Sequence, residues 1–201
     1  MKIAVAGSTG RMGRTLIEAI LASADLKLTA ALELAASPQL GKDAGEPLGS
    51  ACGIPVSADY AAGIGASDCL IDFTRPEGSL LHLDACVKAG KSIVIGTTGF
   101  GAEGKQRIAD ASKRIPIVFA PNMAVGVNAA FRLAQVAANI LGDAYDVEII
   151  EAHHRHKVDA PSGTALKLGE VVAAALGRDL KSCAVYGREG DTGERDAKSI
   201  G

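Results

Sequence analysis

Residues 151–165 read EAHHRHKVDAPSGTA, so that His153, His154 and His156 fall within four residues and Lys157 follows at once. Imidazole and ammonium groups this close together could hold a metal, bind an anion or deliver a proton. Zinc is disfavoured, because the separations depart from the H-x₃₋₅-H spacing and no cysteine or carboxylate pattern completes a tetrahedron. Ser162 lacks the G-x-S-x-G elbow of a nucleophile and reads instead as the cap of a helix that follows. Gly163 and Thr164 would then occupy the first helical turn, where backbone N–H groups and the helix dipole suit a carboxylate. With histidine and lysine nearby to hold a second carboxylate and give up a proton, the pattern describes an acid beside a dianion clamp. Its bland alternative is a solvated basic loop.

A second constellation opens the chain. KIAVAGSTGRMGR sets Gly7, Gly10 and Gly13 after a short apolar run, in GxxGxxG rather than GxGxxG spacing. Glycines allow a tight turn and close backbone approach, and a helix N-terminus behind them offers N–H groups to a pyrophosphate; Arg11 adds a charge on the same turn. Glu33 lies twenty residues beyond Gly13 at the end of the next apolar run, where an acidic side chain can accept hydrogen bonds from a ribose. That carboxylate disfavours a 2′-phosphate and Leu34 supplies no compensating arginine, so NADH is favoured. GTTG at 96–99 and APNM at 120–123 each end a strand pattern at the edge where open α/β sheets bind ligands. Asn122 could serve a ligand or cap the helix that follows. Gly99–Lys105 fits GxxxxGK, but Gln106 stands where a Mg²⁺-binding Ser or Thr is needed, so it is no P-loop.

Positioning these groups requires alternating elements, and the pattern supplies them. Strands are expected at Lys2–Ala6, Leu26–Leu32, Cys69–Phe73, Ser92–Ile95 and Ile117–Ala120. Helices are expected at Arg11–Ser23, Glu77–Ala89 and Gly101–Arg114, with a loose Gly- and Pro-containing stretch over 35–55. This is the signature of βαβ units and a parallel sheet. Beyond it come a helix at Val125–Leu141, a strand at Asp146–Ala152, the histidine loop and a helix over Ser162–Leu176. The division is a Rossmann-like dinucleotide domain over 1–124 and an α+β substrate and oligomerisation domain over 125–201. A core that is 48% hydrophobic yet only 3% aromatic suits aliphatic sheet-and-helix packing, and a net charge of −2 excludes a field for nucleic acid or acidic membranes. The four cysteines form no CxxC pair and read as reduced thiols, and a soluble, cytoplasmic protein is expected.

GSTGRMG, DFTRPEG (72–78), GTTGF (96–100), APNMAVGVN (120–128) and EAHHRHKVDAPSGTA together resemble the dihydrodipicolinate reductase family over essentially the whole chain. The resemblance implies that NAD(P)H delivers a hydride to a small cyclic dicarboxylate, 4-hydroxy-tetrahydrodipicolinate, with net loss of water. It implies His153 and Lys157 as the acid pair, His154, Gly163 and Thr164 as substrate contacts, and Thr98 where substrate and cofactor meet. The cofactor site would comprise Gly7, Ser8, Thr9, Gly10, Arg11 and Met12, then Glu33, then Gly96, Thr97 and Thr98, then Ala120, Pro121, Asn122 and Met123. His156 matches no assigned role, and His82, in a helix pattern, reads as structural. Family members usually run several tens of residues past KSIG to complete a tetramer-forming sheet, so the second domain is expected to be incomplete here. Two other readings compete: a different nicotinamide-dependent enzyme such as a semialdehyde dehydrogenase, for which Cys183 is poorly placed, and a non-catalytic NADH-binding paralogue.

Overall fold

The computed structural model describes residues 1–155, 157 and 160–201, and these divide into two compact units, Met1–Ala120 and Pro121–Gly201. The first unit is a parallel six-stranded sheet with helices on both faces. Its elements run β1 (Lys2–Ala6), α1 (Arg11–Ala22), β2 (Lys27–Leu32), β3 (Val56–Ser57), α2 (Tyr60–Gly65), β4 (Cys69–Asp72) and α3 (Pro76–Ala89). They continue with β5 (Ser92–Ile95), α4 (Ala102–Ala111) and β6 (Ile117–Phe119). The spatial order β3-β2-β1-β4-β5-β6 puts the reversal of winding between β1 and β4. A crevice opens at such a reversal, outside the carboxyl ends of the strands, and ligands of doubly wound sheets bind there.

Both faces of the sheet are buried, which is why the strand sequences are continuously apolar rather than alternating. On β1, Ala4 and Ala6 point to a core shared with Leu32, Leu70, Leu83, Ile93, Ile95 and Ile108. Ile3 and Val5 point the other way, to Ile17 and Ile20 of α1 and to Leu28, Ala31 and Val56. Two elements of this unit are unanticipated by the sequence pattern, β3 and α2. β3 has two residues and owes its existence to β2, whose Ala31 and Leu32 pair with Val56 and Ser57. α2 is a six-residue helix containing two glycines, begun by Asp59, whose side chain accepts from Ala62 N at 2.9 Å. Propensity alone would not hold so short a helix; burial of Ile64 against the sheet does.

The second unit contains α5 (Val125–Leu141), α6 (Gly163–Ala175) and α7 (Leu180–Cys183). Val172, Ala173 and Ile200 form its small core, joined by Ala134, Ala138, Val147, Ile149 and Leu180. The strand expected over Asp146–Ala152 is corrected here: only Val147 pairs, in an isolated parallel bridge to Ile200, which also bridges Ala184. A ladder needs successive partners. Among the described residues the only ones on this stretch are Ile200 and Gly201, and Ile150 stands 94% exposed.

Candidate functional site

In the first unit the glycine loop follows β1 at the point where the sheet reverses. Gly7 adopts φ +64°, and the turn closes with Gly10 N donating to Gly7 O at 3.1 Å. A Cβ on Gly13 would stand 2.2 Å from Gly7 O, so only glycine lets α1 lie this close to the loop. The N-cap of α1 is Gly10, which has no side chain to satisfy the helix N–H groups. Arg11 and Met12 are exposed on this turn, while Ser8 is buried and its Oγ has no partner among the described residues. A buried hydroxyl without a partner, over a turn of backbone N–H groups, suits a polar ligand laid along the loop.

Glu33 sits beside that loop and is tied to it. Its Oε2 accepts from Thr9 Oγ1 at 2.6 Å and from Thr9 N at 3.3 Å, and its Oε1 accepts from Leu34 N at 2.9 Å. A carboxylate has about four lone-pair positions, so one remains for a ligand hydroxyl. The sequence pattern places Glu33 near the loop but does not show that Thr9 is its anchor. Leu34 is 69% exposed and brings no positive charge. At the neighbouring edge, Gly96 N donates to Asp72 O, Thr97 is buried with its Oγ1 accepting from Ser79 Oγ at 2.8 Å, and Thr98 is exposed. Ala120, half-buried, donates its N–H to Ile95 O at the end of β6.

One cluster at this edge escapes the sequence reading. Asp72, fully buried at the end of β4, accepts from Thr74 N at 2.8 Å, from Thr74 Oγ1 at 2.7 Å and from His82 Nδ1 at 2.7 Å. Burial alone would push its carboxyl up; the hydrogen bonds from His82 and Thr74 outweigh that and hold it below the usual carboxylate value. His82 stacks on Tyr60 at 4.4 Å between ring centroids, and burial together with Glu33 and Asp72 pushes the Tyr60 hydroxyl up to about 12. An aspartate ending a buried strand, ten residues before a helical histidine, is the only trace of this in the sequence.

In the second unit the histidine loop is fastened to the start of α6 through Glu151. Its Oε2 meets His153 Nε2 at 2.7 Å, and its Oε1 accepts from Ser162 N at 2.8 Å. Hydrogen bonds from Ser162 and then from His153 hold the Glu151 carboxyl at about 2, so it is ionised at any neutral pH. Ser162 is the helix cap, its Oγ accepting from Ala165 N at 3.0 Å. His153 and His154 are exposed, and Lys157 is half-buried with its N–H on His154 O at 3.2 Å. His156 and Asp159 lie outside the described residues.

Asn122 joins the two helix starts of this unit. Its Oδ1 accepts from Ala124 N at 2.9 Å, and its Nδ2 reaches Thr164 Oγ1 at 3.4 Å. The side chain thus braces the entrance to α5 and reaches the Thr164 hydroxyl at the start of α6. Pro121 and Met123 are exposed beside it. A hollow of about 340 Å³ in this unit, with an apolar wall, takes in Glu151, Pro161 and Leu166, but none of His153, His154, Lys157, Gly163 or Thr164. It is not the site. No cluster of three His, Cys, Asp or Glu side chains converges among the described residues, and none of their helices is long and apolar enough to cross a membrane.

Comparison with known proteins extends this geometry. The family model described as dihydrodipicolinate reductase, N-terminus, matches residues 1–123, and that of the C-terminus matches residues 126–201. The chain is 64% identical over 200 residues to 4-hydroxy-tetrahydrodipicolinate reductase of Dechloromonas aromatica (strain RCB), covering 100% of this chain and 75% of that relative. It is 63% identical over 201 residues to the reductase of the same name from Cupriavidus pinatubonensis (strain JMP 134 / LMG 1197), covering 100% of this chain and 76% of the relative. Among solved structures, a dipicolinate-bound dihydrodipicolinate reductase from Paenisporosarcina sp. TG-14 matches with a TM-score of 0.73 and 26% identity, over 100% of this chain and 76% of that one. The WlbA dehydrogenase from Chromobacterium violaceum, solved with NADH and UDP-GlcNAcA, shares the fold alone, at a TM-score of 0.55 and 16% identity over 74% of this chain and 42% of that one.

Proposed function

The chain belongs to the dihydrodipicolinate reductase family, and on that premise we propose that its loop 151–164 supplies the acid and the dicarboxylate clamp for reduction by a dinucleotide held at the glycine loop. It is an NAD(P)H-dependent oxidoreductase, a 4-hydroxy-tetrahydrodipicolinate reductase of diaminopimelate and lysine biosynthesis. The nicotinamide, when bound, supplies the hydride. Everything else falls to this chain's own groups.

Gly7, Ser8, Thr9, Gly10, Arg11 and Met12 would hold the pyrophosphate, with Glu33 toward the ribose and Gly96, Thr97, Thr98, Ala120, Pro121, Asn122 and Met123 along the rest of the cofactor. The unpartnered Ser8 hydroxyl, the uncapped start of α1 and the lone-pair position left on Glu33 fit such a group. NADH is the favoured partner, because Glu33 repels a 2′-phosphate and Leu34 offers it nothing. For the dicarboxylate, His154 and the Gly163–Thr164 N–H groups at the start of α6 form the clamp. His153 and Lys157 deliver the proton and stabilise charge developing on the ring.

The observation that carries this reading is the Glu151 bridge, which clips the His153 imidazole to the N–H of the residue that caps α6. Proton donor and anion-binding helix end are thereby held as one piece, which is what a reaction on a bound dianion requires. Assembly as a homotetramer through residues 121–201 is a further part of the reading, supported by Leu133, Ile140 and Ile150, which stand exposed there. Light scattering of the purified protein tests it, and a monomer at micromolar concentration overturns it. We place the protein in the cytoplasm, in keeping with its four free cysteines. The decisive assay follows NADH and NADPH oxidation with substrate generated in place by the preceding synthase. Turnover with NADH ahead of NADPH is expected; dinucleotide binding without turnover overturns the catalytic assignment.

A further inference from the structure

A buried carboxylate is an expensive choice for stability alone, since apolar residues of similar volume often serve a core as well or better. Asp72 nevertheless ends the central strand β4, fully buried, and its partners other than His82 belong to the loops after β4 and β5. Both donors on Oδ1 come from Thr74, in the turn between β4 and α3. The Thr74 methyl in turn lies 2.9 Å from where a Cβ on Gly7 would be, so the fixed threonine forms a wall of the glycine loop. Ser79, in the first turns of α3, has its Oγ 3.4 Å from Thr74 Oγ1 and donates to Thr97 Oγ1 in GTTG at 2.8 Å. Asp72 O meanwhile accepts from Gly96 N at 2.9 Å. One residue thus touches, directly or through one neighbour, all three loops of the switch point. Behind it His82, packed flat on Tyr60, donates to Oδ2 at 2.7 Å.

We propose that Asp72, held by His82, is a positioning residue that sets the loops after β1, β4 and β5 in their dinucleotide-binding arrangement before the cofactor arrives. The proposal rests on the reading of those loops as the cofactor site. Its cost to binding would appear when the network is cut, because loops must then be ordered by the ligand itself.

The test uses the 201-residue chain and NADH titration by calorimetry, with thermal midpoints and steady-state kinetics in parallel. His82→Phe keeps the ring and its stacking on Tyr60 but withdraws a hydrogen bond from a buried carboxylate. NADH binding should weaken about tenfold, in line with the weight of charge-assisted bonds. At saturating NADH kcat should stay within about twofold, since a binding loss shared by ground and transition states appears in KM. His82→Asn can restore a donor near Nδ1 and should recover most of the affinity. Ser79→Ala, which cuts the link to Thr97 and the longer contact with Thr74 but leaves Asp72 and His82 paired, should weaken NADH about fivefold with a midpoint close to the parent's, and it decides the matter if His82→Phe does not fold. Variants that melt earlier yet bind NADH like the parent would show a purely structural role and overturn the proposal. A parent chain that binds neither NADH nor NADPH would overturn the reading of the loops themselves, a separate and recognisable failure.

Discussion

In the proposed function each unit offers a helix start to a ligand, and the two starts are built in opposite ways. At α1 the site is made of backbone. The N-cap is a glycine without a side-chain bond, Gly13 lies where any Cβ would strike Gly7 O, and the strands behind it are buried on both faces. At α6 the site is made of side chains. Ser162 caps the helix, Glu151 bridges to His153, and His153 and His154 are exposed with Lys157 half-buried. A pyrophosphate needs close approach to N–H groups and little chemistry. A proton-donating dianion clamp needs charged groups free to change protonation, which burial would suppress. Substitutions at α1 should therefore act through sterics and folding, and those at the histidine loop through chemistry with the fold left intact.

The sharpest contrast comes from the loop. His153→Ala or Lys157→Ala should lower kcat by about 10²-fold or more, the usual scale for a lost general acid. Their thermal midpoints should fall only slightly, because neither side chain belongs to the core of its unit, although His153→Ala gives up the bond to Glu151. If both variants turn over normally, the acid pair is assigned wrongly. Gly13→Ala should do the reverse, destabilising the first unit by about 1–3 kcal/mol as Gly7 and Ser8 are pushed aside, and weakening NADH binding with it. A variant with parental melting and NADH affinity would remove the steric account of α1.

Smaller effects refine the comparison. Leu34→Arg, beside Glu33, should shift the ratio of kcat/KM for NADPH over NADH upward by about tenfold, because an arginine can meet a 2′-phosphate. No shift would mean that the ratio is set elsewhere on the loop. Ser162→Ala should cost about 1 kcal/mol as the cap of α6 is lost, read from urea unfolding.

The pH dependence has a definite sign at Glu151. Its folded-state value, about 2, lies below its ordinary 4.5, so the tie contributes stability above about pH 4.5 and loses it as pH falls toward 2. Glu151→Gln should flatten that acid limb. An unchanged limb would mean that other carboxylates govern it.

Much of this was legible in the residues themselves. Apolar runs at Lys2–Ala6, Ser92–Ile95 and Cys69–Phe73, with helical periods between them, specify a parallel sheet because a strand buried on both faces has to be continuously apolar. Gly7, Gly10 and Gly13 announce their loop because few residue types tolerate its conformation and its crowding. The serine before Gly163 announces its helix because caps are chemically distinctive. The illegible parts are those stabilised by something distant in sequence. β3 and α2 exist because β2 and the sheet surface receive them, and Asp146–Ala152 lacks a strand's ladder because pairing depends on partners rather than on its own residues.

Residue types and local spacing therefore determined the sheet, the loops and the chemistry available to them, since backbone preference, burial and protonation are properties of short stretches. Only the tertiary structure decided which groups meet: Thr9 with Glu33, Glu151 with both His153 and Ser162, Asp72 with His82 and Thr74. Most of those pairs are separated by ten residues or more, and a hydrogen bond is selected by angstroms in space, a quantity that spacing along the chain does not encode.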